Sequence, residues 1–114
     1  MNTQLPIRVG AVLFDGFELL DLYGPLEMFG LLEREASIST IGLIVGAVRS
    51  SSGPSGVAEI PLADAGGFDV LLIPGGIGTR REMANPVFLA GLKRLAEAGQ
   101  TFADFDREKW GAAD

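Results

Sequence analysis

Two short segments carry the groups that could do chemistry. The first, Asp15-Gly16-Phe17-Glu18-Leu19-Leu20-Asp21-Leu22-Tyr23, holds carboxylates at positions 15, 18 and 21. The second, Pro74-Gly75-Gly76-Ile77-Gly78, is backbone with few side chains in the way. Such backbone can present N–H groups to an anion or to a developing oxyanion. A carboxylate facing those donors would form a candidate reaction site.

Each part also has a plainer reading. A Gly-Gly step after a strand serves as a tight turn whether or not anything binds there. No Gly-Lys-Ser/Thr follows it, so it is not a P-loop, and it does not make the Gly-x-Gly-x-x-Gly pattern of a dinucleotide site. Asp15 and Glu18 read as solvated loop acids. Asp21 stands between Leu20 and Leu22, where a free surface acid is less expected. Its carboxylate could cap a helix beginning near Pro25, or it could be the functional acid; spacing leaves both open.

Absences narrow the chemistry further. The 114 residues include no cysteine and no histidine. That removes disulfides, a thiolate nucleophile, Cys-type zinc sites and any Ser-His or Cys-His pair within one chain. Acid–base work would fall to a carboxylate, Lys93, Lys109 or Tyr23. Neither a metal nor a cofactor is expected, and the composition leaves room for a small-molecule ligand without specifying one. The net charge of −6, with acids scattered along the chain, argues against nucleic acid and against an anionic membrane surface. Ala11–Phe14 and Ile41–Val48, the longest apolar runs, are far short of a bilayer span. Residues 1–6 lack the plan of a signal peptide, so a soluble cytoplasmic protein is expected.

The elements that must position these groups follow from the apolar pattern. Ile7–Phe14 and Phe68–Ile73 read as strands covered on both faces. Pro25 predicts a helix start, with Leu26, Phe29 and Leu31/Leu32 at helical spacing. Thr40–Arg49 reads as a second strand, Ser50–Gly56 as a turn cluster and Val57–Pro61 as a short extended piece. Thr79-Arg80-Arg81-Glu82 fits a capping box for a brief helix. Asn85-Pro86 opens a longer helix over Pro86–Ala98, with Phe88, Leu92 and Leu95 on one face and Gly99 as its stop. Strands alternating with helices predict an α/β fold with an open, mostly parallel sheet and flanking helices. Ligands of such sheets bind beyond the carboxyl ends of the strands, which brings the acidic loop and the glycine loop to one crevice. Thr101–Asp114, with six charged residues in fourteen, breaks the pattern and reads as a polar tail.

Phe14–Phe29 (FDGFELLDLYGPLEMF) resembles the opening of the ThiJ/PfpI superfamily, and Asp69–Gly76 (DVLLIPGG) resembles its fourth-strand motif. Gly78-Thr79-Arg80-Arg81-Glu82 and Asn85-Pro86 continue the likeness in the manner of the stand-alone branch near isonitrile hydratases. The resemblance covers residues 7 to about 100, with its motifs in order. It implies a flavodoxin-like, class I glutamine-amidotransferase-like fold, usually dimeric, with a nucleophilic cysteine on a strand-to-helix elbow. By position, Asp21 matches the acidic partner of that cysteine, while Gly75 and Gly76 match the glycines that supply backbone donors beside it. In the isonitrile hydratase branch the acid and thiol add water to an isonitrile carbon, giving an N-substituted formamide.

The chain departs from this pattern after Gly99, where Phe105 and Asp106 stand about where the cysteine would fall. The expectation is therefore an inactive N-terminal part over residues 1–100, incomplete at its C-terminus, with a divergent tail over 101–114. It follows that Ile7–Phe14 or Phe68–Ile73 would be left as an exposed sheet edge. The alternatives are a ligand-sensing domain of an AraC-type transcription regulator, which shares these opening motifs, and a noncatalytic binding partner of a complete paralogue.

Overall fold

A computed structural model describes residues 5–76, 84–97 and 101–105, the last of these by backbone only. The chain begins with β1 (Ile7–Val12), whose residues from Val9 onward are all buried. Burial on both faces is what an uninterrupted apolar strand needs, and Gly10 makes room for it. A Cβ there would sit 2.8 Å from the Phe68 ring and 2.9 Å from Ile41 Cδ1. Helix α1 (Leu19–Gly30) leads to β2 (Ala36–Gly42) through a short 3-10 turn. A hairpin of β3 (Gly46–Arg49) and β4 (Ser55–Ala58) follows, then β5 (Ile60–Pro61), β6 (Val70–Pro74), α2 (Pro86–Glu97) and β7 (Thr101–Phe105).

The main sheet has the order β5-β2-β1-β6-β7, and all of its pairings are parallel. The hairpin forms a separate antiparallel pair. From β1 the chain builds outward through β2 and β5, then returns to the other side of β1 with β6. The strand order thus reverses between β1 and β6, the position where open α/β sheets form their ligand crevice. Helix α1 lies against β2 and β6, while α2 packs on the 3-10 turn at Leu62–Asp64. One core joins these layers, including Val12, Leu13, Phe17, Leu22, Ile41, Leu71, Leu72, Phe88 and Leu95.

The predicted α/β architecture with its parallel sheet and flanking helices holds, and so does the start of α2. Asn85 Oδ1 accepts hydrogen bonds from the N–H groups of Val87 (2.9 Å) and Phe88 (3.3 Å). Phe88 and Leu95 are buried in the core, and Leu92 packs against that core. No helix among the described residues is long and apolar enough to cross a membrane.

Four expectations change. Helix α1 begins at Leu19 and runs through Pro25, so the proline lies inside the helix instead of opening it. The expected strand Thr40–Arg49 is broken at Leu43–Val45, with its second half turned into the hairpin. Gly42 explains the break: a Cβ there would lie 2.7 Å from Ala58 Cβ, so β2 ends where β4 crosses it. Thr101–Phe105, expected as part of a polar tail, pairs in parallel with β6 from Val70↔Thr101 to Pro74↔Phe105. Backbone hydrogen bonding to β6 sets this strand. Consequently β1 and β6 are each paired on both sides, and neither is the exposed edge the sequence suggested. The capping box at Thr79–Glu82, together with Gly78 and Gly99, lies outside the described residues.

Candidate active site

The site begins where β1 ends. Leu13 and Phe14 continue the buried line of the strand, and Gly16, with φ of 84°, turns the chain toward α1. Phe17 then threads between two neighbours, bridging to Ser50 on one side and to Gly76 on the other. The Gly16 N–H donates to the Arg49 carbonyl at 2.8 Å, and the Ser51 N–H donates to the Phe17 carbonyl at 2.8 Å. On the far side the Glu18 N–H donates to the Gly75 carbonyl at 2.8 Å. Main-chain bonds therefore fix the β1–α1 loop from both flanks.

Asp21 lies in the first turn of α1, one turn ahead of Pro25, so it does not cap a helix starting at the proline. Glu18 holds the cap position and makes no side-chain capping bond. The Asp21 carboxylate instead reaches the β6 exit loop, where its Oδ2 accepts the Gly75 N–H at 3.3 Å. A negative charge in the first turn also complements the positive end of the helix dipole. Gly75 is held twice, its carbonyl by the Glu18 N–H and its own N–H by Asp21.

Gly76 cannot be another residue here, for two separate reasons. Its φ of 140° disfavours any L side chain, and a Cβ would run into the Gly16 carbonyl and lie 2.9 Å from Phe17 Cα. The glycines thus let the two loops meet backbone to backbone. The structure brings Asp21 and Gly75 together, with Gly76 beside Phe17. Asp15 and Glu18 are exposed, as expected of solvated acids. Asp15 faces a different opening, between the ends of β1 and β2.

Sequence reasoning missed three contributors. Phe17, in what read as a loop, is fully buried and meets Tyr23 edge-on, with ring centroids 6.3 Å apart. Gly56, in the turn cluster, leaves space for the Tyr23 hydroxyl; a Cβ would also lie 2.8 Å from Leu13 Cδ2. Ser50 is only 5% exposed, and its hydroxyl finds no hydrogen-bond partner among the described residues. The available signal was Phe17 itself, an aromatic between Gly16 and Glu18, which an open turn has no reason to carry. No group of His, Cys, Asp and Glu among the described residues is arranged to hold a metal ion.

A carboxylate clamped to a glycine backbone at the strand-order reversal coincides with a family match. The DJ-1/PfpI family model covers residues 7–104. The chain belongs to the DJ-1/PfpI family. An uncharacterised Streptomyces lividans protein, described as lying in the cpoL 5' region, is 36% identical over 98 residues; the match covers 83% of this chain and 70% of that protein. Among solved structures, a ThiJ/PfpI family protein from Pseudomonas syringae superposes with a TM-score of 0.79 at 23% identity, over 90% of this chain and 44% of that one. A DJ-1 superfamily protein from Salmonella typhimurium, solved as a cysteine-to-alanine mutant, gives a TM-score of 0.69 at 27% identity, over 85% of this chain and 54% of that one. The chain therefore spans about half the length of these two solved DJ-1/PfpI proteins. The family match over residues 7–104 includes β1, α1 and β6, with Asp21 and Gly75 among the matched positions.

Proposed function

We propose that this chain supplies the acid-bearing half of a thiol-dependent DJ-1/PfpI site of the isonitrile hydratase-related type, and that by itself it does not turn over. The observation that carries the reading is the Asp21 carboxylate held on the Gly75 N–H at 3.3 Å, where the strand order reverses between β1 and β6. In the hydration of an isonitrile, a thiolate would attack the terminal carbon. The carboxyl group would deliver the proton that carbon needs, and water would then release the thiol, leaving an N-substituted formamide. In this reading Asp21 takes the proton-transfer role, which a carboxyl group near a reacting carbon can fill. The nucleophile is what these 114 residues cannot provide, because they contain no cysteine, and no histidine replaces it as a base.

The test is incubation of the purified chain with cyclohexyl isocyanide, following N-cyclohexylformamide by chromatography. Formation at the buffer rate is the expected result. Turnover above buffer that disappears in Asp21→Ala would show a carboxylate-only mechanism and overturn the proposal.

A further inference from the structure

An opening lies on the other side of β1, between the carboxyl ends of β1 and β2. It is an open pocket of about 320 Å³ lined by Leu13, Phe14, Asp15, Leu43, Ile44, Ala47 and Val48. That volume is at the lower end of the roughly 300–1,000 Å³ of small-molecule sites. Leu13 and Phe14, 1% and 6% exposed, provide a buried apolar floor. Leu43 and Val48 are half-buried walls packed against the core, and Ile44 stands 78% exposed at the rim.

Two backbone bonds brace this pocket. The Leu13 N–H donates to the Ile41 carbonyl at 2.7 Å, joining the ends of β1 and β2. The Gly16 N–H donates to the Arg49 carbonyl at 2.8 Å, tying the end of β3 to the β1–α1 loop. The opening between these ties is therefore part of the framework. Its lining is apolar apart from Asp15, and among the described residues no cation pairs with that carboxylate. An apolar socket with one charged residue in its lining has the composition of a ligand site.

We infer that this pocket binds a small apolar molecule carrying a primary ammonium group, the hydrocarbon on Leu13, Phe14, Leu43 and Val48 and the cation at Asp15. The site is independent of Asp21 and Gly75, which do not line it. Charge complementarity selects the class: a neutral analogue keeps the apolar contacts and loses the ion pair, whereas an acid meets repulsion. Because Asp15 is exposed, the ion pair is screened, and its removal should weaken binding only about fivefold.

The experiment titrates 2-phenylethylamine, 2-phenylethanol and 3-phenylpropanoate into the ¹⁵N-labelled chain and follows amide shifts. The expected order is amine, then alcohol, then acid, with saturable shifts centred on Leu13–Asp15, Ile44 and Ala47 and none at Gly75. Asp15→Asn should bring the amine down to the alcohol's affinity and leave the alcohol unchanged. Ala47→Phe, which fills the pocket from its exposed rim, should abolish saturable binding of both while the amide spectrum stays folded. Absence of saturable binding would overturn the inference. So would shifts centred on Asp21 and Gly75, equal affinity for amine and acid, or undiminished binding by Ala47→Phe.

Discussion

The two sides of the β1 exit at the top of this sheet are built in opposite ways. Between β1 and β6 the loops meet backbone to backbone, with Phe17 bridged to Gly76, Glu18 bonded to Gly75, and Asp21 closing the contact. Between β1 and β2 the strands are tied at Leu13–Ile41, but the next contact, Gly16–Arg49, comes only after side chains have kept a gap of about 320 Å³. The glycines account for the difference. Gly75 and Gly76 let β6 exit directly onto the start of α1, while Leu43, Ile44 and Val45 occupy the corresponding exit from β2. The first arrangement fixes one carboxylate at one backbone donor. The second leaves room for a molecule. Tolerance to substitution should follow the same division.

The sharpest way to break the comparison is Gly76→Ala. A Cβ against the Gly16 carbonyl, at a φ of 140°, should cost about 3 kcal/mol or more. Urea unfolding followed by circular dichroism should show a large fall in midpoint or no folded baseline. A midpoint within error of wild type would mean that the two loops do not meet as described. Next in size is Leu72→Ala, in β6, which pairs with the central strand β1. Leu72 is 0% exposed, and its truncation should cost about 2–5 kcal/mol by the same measurement.

A smaller effect separates the site from the helix beside it. Asn85→Ala removes the acceptor of the Val87 and Phe88 N–H groups and should cost about 1 kcal/mol. A loss several times larger would mean that the segment before α2 carries more of the fold than its cap. The smallest effect belongs to the open side. Ile44→Ser, at a position 78% exposed, should change stability by no more than about 0.5 kcal/mol. A substantially larger loss would show that the β2 exit is packed and not open.

Much of the framework was legible because local and tertiary forces agree there. The unbroken apolar runs at Ile7–Phe14 and Phe68–Ile73 can be strands only if both faces are covered, and β1 and β6 are central. Asn85-Pro86 announces α2 because its cap is made within three residues of sequence. The start of α1 was not legible, because Pro25 is a strong local signal for a helix beginning. What places the start at Leu19 is the contact of Glu18 and Asp21 with Gly75, more than fifty residues away. The split between β2 and β3 hides inside an apolar run for the same reason, since Gly42 ends the strand by meeting Ala58. In β7 the backbone partner is β6, and charged neighbours in the sequence concealed it.

For the site, Asp21 and the Gly75-Gly76 pair could be singled out from sequence, but the choice between helix cap and functional acid could not. Only the folded chain shows the carboxylate turned toward Gly75. Phe17, the residue that spaces the two loops, looked like part of a turn until its bridges to Ser50 and Gly76 were visible.

The most direct test of this account is hydrogen exchange of the Gly75 amide, compared between the wild-type chain and Asp21→Ala. The wild-type Gly75 amide should be protected by the carboxylate that accepts it at 3.3 Å. In Asp21→Ala its exchange should quicken by about tenfold or more, the loss of one hydrogen bond to a charged acceptor. The amides of Ala11 and Leu72, in the strands below, should keep their wild-type rates. Equal Gly75 exchange in the two proteins would contradict the account, because Asp21 would then not be the group that holds the Gly75 amide.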